Sequence, residues 1–177
     1  SDAWNCWFAD GSGAWFVKVD TKQMEWTATL LSQIRANGND MTYYSKRQQW
    51  GYYITTTADN QTVSIEADAK QYDKSTRTDA SIDKTLHFTA QDGKLVQADA
   101  ATGFNIAKAG TYTVIVEADG SGYLRYSVVE GKVDFSATDE PEAKYPSELY
   151  MVNKDDISVD LARLAKTGDT TYSGTYT

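Results

Sequence analysis

Apolar and polar residues alternate with a period of two over long stretches of the chain. In "TYTVIVE", Tyr112, Val114 and Val116 fall on one face, and Thr111, Thr113, Ile115 and Glu117 on the other. That spacing predicts a strand. "ADGSG" follows, with two glycines free to take positive φ, and "YLRYSVVE" returns, so the segment reads as a hairpin. An earlier stretch, "GAWFVKVDTKQMEWTATL", carries the same phrase: Gly-x-aromatic-x-Val-x-Val-acid. There Trp15, Val17 and Val19 alternate with Phe16 and Lys18, "DTKQ" turns, and Trp26, Ala28 and Leu30 alternate on the return. Trp15 and Trp26 are read as core. "GTYT" occurs once more at 174–177.

The same logic predicts strands in "WGYYITTT" and "QTVSIEA", flanking "ADN" as a further hairpin, and in "TLHFTA", "GKLVQA" and "ELYMVN". Strands separated by Gly, Asp and Asn turns make the chain all-β, an antiparallel immunoglobulin-like β-sandwich. Two segments have a helical look: "LLSQIRANG", with Gly38 as a stop, and "DDISVDLARLAKTGD", with Gly168 as a C-cap. "KQYDKSTRTDASIDK" is almost wholly polar and reads as an exposed loop. Both prolines, Pro141 and Pro146, lie in an acidic stretch that reads as a linker. The expected organisation is a β-sandwich module over 1–133, a linker over 134–147, and the start of a second β module, truncated or docked, over 148–177.

Charge narrows the partners. The 177 residues carry a formal net charge of -8, which argues against nucleic acid, since phosphate binding needs a positive footprint. One cysteine, Cys6, forms no intrachain disulfide, and one histidine, His87, makes no zinc cluster. His87 sits mid-strand between Leu86 and Phe88, which suits structure better than catalysis. Oxygen-rich turns at Asp10, Asp119 and Asn153 lack the closing Glu of a calcium loop. No metal, cofactor or catalytic set is expected.

"DGKLVQADAATGFNIAKAGTYTVIVEADGSGYLRYSVVEG" resembles the closing strands of modules in SusE/SusF-like outer-membrane proteins. "ELYMVNKDDISVDLARLAKTGDTTYSGTYT" resembles the opening of such a module. The two blocks cover about 70 residues in the order ending, linker, beginning. The resemblance implies tandem β-sandwich modules at the outer face of a Gram-negative cell, lipid-anchored through a removed N-terminal segment. It also implies starch or a related oligosaccharide or polysaccharide as ligand, with outer-membrane transporter components as further partners.

A pyranose ring has one apolar face and a rim of hydroxyls, so a sugar site needs flat rings beside amides and cations. "MTYYSKRQQWGYY" has that composition, and "DAWNCWFADG" adds rings. The candidate glycan-binding residues are Tyr43, Tyr44, Trp50, Arg47, Gln48 and Trp7. Tyr43-Tyr44 and Tyr52-Tyr53 cannot both point inward from one strand, so one of each pair faces solvent or an interface. The leading reading is a non-catalytic cell-surface glycan-binding protein of a polysaccharide-uptake system. The alternatives are a structural spacer or protein-interaction module of a surface lipoprotein, and an accessory domain of a glycoside hydrolase.

Overall fold

A computed structural model describes residues 2–20, 25–73, 81–136, 148–153, 160–167 and 172–174. They are all-β. In chain order the strands are β1 (Asp2–Asp10), β2 (Gly13–Asp20), β3 (Glu25–Ala36), β4 (Asn39–Asp40), β5 (Thr42–Tyr44), β6 (Gln49–Thr56), β7 (Gln61–Val63) and β8 (Ile65–Asp73). There follow β9 (Ser81–Gln91), β10 (Lys94–Ala98), β11 (Phe104–Ile106), β12 (Gly110–Ala118), β13 (Leu124–Glu130), β14 (Glu148–Asn153), β15 (Asp160–Lys166) and β16 (Tyr172–Ser173).

One antiparallel sheet runs in the order β16-β15-β14-β1-β2-β3-β8-β9-β10-β13-β12-β6-β5, with β4 beside β3 and a separate β11-β7 pair. It folds over on itself into two layers, in keeping with an immunoglobulin-like sandwich, so that β12 crosses the core from β1 and β2. Two bonds tie the layers where the fold closes. The Trp7 backbone N–H donates to Ser121 O at 2.9 Å, and the Tyr43 hydroxyl donates to Asp10 O at 2.9 Å.

Period-2 alternation fills the space between the layers. Trp7, Phe16, Ile34, Ile65, Phe88, Leu95, Val114, Val116 and Leu124 all belong to one buried cluster. Each such side chain contributes roughly 1.5–3 kcal/mol of burial. Trp7 meets Phe16 at 5.0 Å between ring centroids and Phe88 at 6.2 Å. The Asp92-Gly93 turn joins β9 to β10 with φ of 49° and 82°, a left-handed pair that suits the right-handed twist of a hairpin.

Several expectations are corrected. Residues 30–36 continue β3 instead of turning helical, because β3 pairs with β8 from Thr27↔Asp73 to Ala36↔Ile65. A bulge between Leu31 and Gln33 interrupts that ladder. Ladder bonds along a whole strand outweigh the weak helical preference of Leu, Gln and Arg. Residues 160–166 form β15, paired with β14, and are likewise not helical. The polar stretch from Lys70 is strand as far as Asp73, and β9 begins at Ser81, for the outer face of a ladder tolerates charge. The "ADN" turn does not close a hairpin: β6 pairs with β5 and β12, whereas β7 pairs with β11.

Trp15 and Trp26 are not core. Phe16 is the residue of β2 that enters the buried cluster. Trp15, Val17 and Val19 face outward, and Trp26, opposite Val19, is 36% exposed.

Residues 148–153 extend the sheet beyond β1, with Asp2↔Asn153 through Asn5↔Tyr150 in register. The "GTYT" recurrence, the "DTKQ" turn and the proline segment fall largely or wholly outside the described residues.

Candidate functional site

The outer face of β5 and β6 carries the aromatic site. Strand alternation divides each tyrosine pair between the two faces. Tyr43 lies opposite Trp50 and turns to the core, with ring centroids 4.3 Å apart. Tyr44 turns outward. Tyr52 packs against the core, and Tyr53, 40% exposed, turns outward. Between the two outward tyrosines, on the same face, stands Gly51, whose missing side chain leaves a notch.

Phe135 fills that notch. A Cβ built on Gly51 would lie 2.4 Å from Phe135 Cζ and 2.6 Å from Cε2. The Phe135 ring stacks on Tyr44 at 4.2 Å with an interplanar angle of 5°, and stands 6.3 Å from the Tyr53 ring. It reaches this position because the chain after β13 folds back as a strap, residues Gly131–Ser136, across β12 and β6.

Four hydrogen bonds fix the strap. Gly131 N–H donates to Thr111 O at 2.8 Å. The Thr113 hydroxyl donates to Gly131 O at 2.8 Å and accepts from Val133 N–H at 2.9 Å. The Tyr53 hydroxyl donates to Val133 O at 2.6 Å. Thr113 is therefore fully buried and fully used, and Ile115 beside it is covered as well.

Beside the strap lies an open groove of about 440 Å³, lined by Tyr43, Tyr44, Ser45, Lys46, Phe135 and Ser136. The Arg47 guanidinium stands 5.8 Å over the Phe135 ring, and the Lys132 ammonium 5.5 Å over Tyr53. Asp134 takes the Ser136 backbone N–H at 2.9 Å. That bond, with the Ser136 hydroxyl and the Arg47 charge, holds its carboxyl below the usual carboxylate range. Burial, helped by the charge on Asp10, pushes the Tyr43 phenol up to about 12, so it remains a neutral donor. The groove thus offers hydroxyls, cations and the outward ring of Tyr44. Among the described residues, no group of three His, Cys, Asp or Glu side chains is placed to hold a metal ion.

Of the six residues expected to touch sugar, Tyr43, Tyr44 and Arg47 come together here. Trp7, Trp50 and Gln48 do not face solvent, at 2%, 3% and 3% exposure. The two indoles are needed inside, where a folded sheet with wide layers requires large flat side chains. Gln48 is held inward by the β5–β6 turn, where it takes a left-handed φ of 54°. Its side-chain Oε1 is buried without a hydrogen-bond partner. Phe135 and Ser136 were missed, because they sit outside the aromatic run in sequence. Gly51 was the available signal: a lone glycine inside an aromatic strand marks a close approach by something else.

A second cluster lies on the outer face of β3, β8 and β9. Arg35 donates to Glu66 Oε1 at 3.0 Å and through both terminal nitrogens to Asp68. His87 Nε2 stands 3.9 Å from Glu66 Oε2. This is an ordinary charge ladder across strands. The Arg35 hydrogen bonds hold Asp68 below its usual range.

The model of a domain of unknown function, DUF5111, matches residues 1–31. That stretch supplies β1, β2 and the first part of β3, and none of the residues lining the groove. No characterised protein and no solved structure matches the chain at a significant level.

Proposed function

We propose that the chain is a non-catalytic glycan-binding protein of the cell surface, serving a polysaccharide-uptake system and holding sugar in the Tyr44 groove. The observation that carries this reading is the outward Tyr44 ring, braced from behind by Phe135 and bordered by Ser45, Lys46 and Ser136. The phenol ring covers the apolar face of one sugar, and the hydroxyl and ammonium groups meet its rim. The lining holds no pair of carboxylates at the roughly 5–10 Å spacing that glycoside hydrolysis uses. One ring gives weak affinity, which tandem modules would raise by effective concentration. The resemblance to SusE/SusF-like modules supports the surface location and the transporter components as partners.

Affinity electrophoresis and calorimetry against starch, xylan, mannan and pectic polymers test it. Tyr44→Ala is expected to weaken retention at least about tenfold, the scale of one lost ring–sugar contact, with a small drop in melting temperature from the lost stacking on Phe135 and the fold retained. Unchanged retention would remove the groove from consideration.

A second reading, a structural spacer or protein-interaction module, is favoured by the strap itself. Its ring already fills the notch at Gly51, and the sheet continues from β1 onto β14. On that reading the wild-type protein retains no glycan, and Tyr44→Ala changes only the melting temperature.

A further inference from the structure

We infer that the groove selects acidic glycans, those bearing uronate carboxylates or sulfate esters, over neutral ones; this rests on the glycan reading above. The argument is one of charge placement. The chain as a whole is acidic, with 25 Asp and Glu against 17 Lys and Arg. The ring-bearing face around the groove carries three cations. Lys46 lines it, Arg47 stands over Phe135, and Lys132 stands over Tyr53. Two acids lie near them: Asp134 is engaged by Ser136 and by the field of Arg47, and Glu117 accepts from Gln49 Nε2, whose Oε1 accepts from Arg47 Nε.

Elsewhere on the surface, Arg35, Lys70, Lys108 and Arg125 each meet a carboxylate, whereas Lys18, Lys84 and Lys94 stand singly among the described residues, so it is the grouping of cations around the rings, not their lack of partners, that marks this face. Lys46 and Lys132 meet no carboxylate among the described residues. The strand register also orders them. Tyr44 lies opposite Gln49, while Tyr53 lies beyond Gly51 on β6, so Phe135 stands between the two tyrosines. The cations therefore flank a short row of rings: Lys46 and Arg47 at the Tyr44 end, Lys132 at the Tyr53 end.

A neutral sugar needs only the ring and hydrogen bonds at its rim. Unpaired ammonium groups add nothing specific to it. An acidic sugar uses them directly. A uronate carboxylate or a sulfate is recognised in two-pronged fashion by a guanidinium and as a point charge by a lysine. Because the rest of the molecule repels polyanions, the preference has to come from short-range contact at this rim.

Polygalacturonate and its fully methyl-esterified form share one backbone and differ in charge. The wild-type protein is expected to bind polygalacturonate at least about tenfold more tightly than the ester. The preference is expected to fade in about 1 M salt, where screening acts within ~3 Å. The double variant Lys46→Gln, Lys132→Gln is expected to lose it while melting as the wild type does. Dextran sulfate against dextran provides the same comparison for sulfate esters. Preference for either acidic polymer, lost in the double variant, supports the inference. Equal retention of charged and neutral forms, still abolished by Tyr44→Ala, would overturn it and leave glycan binding standing. Equally tight binding of a single-stranded oligonucleotide would overturn it as a general anion site. Silence on every polymer would overturn both readings together.

Discussion

β2 and β12 share a phrase and use it in opposite senses. In β12, Tyr112, Val114 and Val116 face the core, and the two valines are fully buried. In β2, Trp15, Val17 and Val19 face outward, and Ala14 and Phe16 enter the core. A one-residue change of phase moves every side chain to the other face of a strand. The two copies also differ in what lies over their outer sides. The strap covers β12, burying Thr113 and Ile115 there, whereas the outward residues of β2 stay half-exposed. Identical periodicity therefore fixes that a segment is a strand and leaves open which side of it is inside.

The sharpest way to break this comparison is to place a charge in each copy. Val116→Asp buries a carboxylate without a partner and is expected to cost more than about 4 kcal/mol. Val19→Asp is expected to cost less than about 1 kcal/mol, as surface changes do. Urea midpoints of the two variants decide it, and equal losses would mean that both copies face the same way. A smaller effect is expected from Gly51→Ala. The new methyl would collide with Phe135, forcing the ring out at about 2 kcal/mol, the usual cost of overpacking. Faster hydrogen exchange at the Gly131 and Val133 amides should accompany it; unaltered protection would show that the strap is held without the notch.

The smallest effect concerns Cys6, which lies opposite Val17 on the outward side of β1 yet is 4% exposed. Burial pushes its thiol up to about 12, against ~8.5 when unfolded. The folded state thus keeps a proton that the unfolded state loses, and stability should decline as pH rises from ~8.5 towards 12. Cys6→Ala should lack that part of the decline. The native thiol should also stay silent to a disulfide reagent at pH 8, and rapid labelling would show that this side is more open than Val17 and its neighbours indicate.

The strand content was legible because alternation and turn chemistry are local. "TLHFTA", Asp92-Gly93 and "GKLVQA" can be read as a hairpin from a few residues. What was not legible depends on partners far along the chain. Leu30 to Ala36 has helical spacing, but β8 supplies its hydrogen bonds. Trp50 and Tyr44 look alike in sequence, and only the pairing of β5 with β6 sends one inward and the other out. Phe135 lies beyond the last recognisable strand of its hairpin, so no periodic signal includes it, although Gly51 advertises the space it fills.

The strap has a mechanical consequence. Since the backbone departs over Gly51 and the chain rejoins the sheet as β14 beside β1, the strap and that ladder hold the C-terminal strands at two points. A pull from beyond β14 meets the β14–β1 ladder first; once that ladder parts, the load passes to the seated phenyl ring and then to the Tyr53 and Thr113 hydroxyls behind it. The sugar-facing ring of Tyr44 leans on that same phenyl, so tension on the strap and occupancy of the groove bear on one joint.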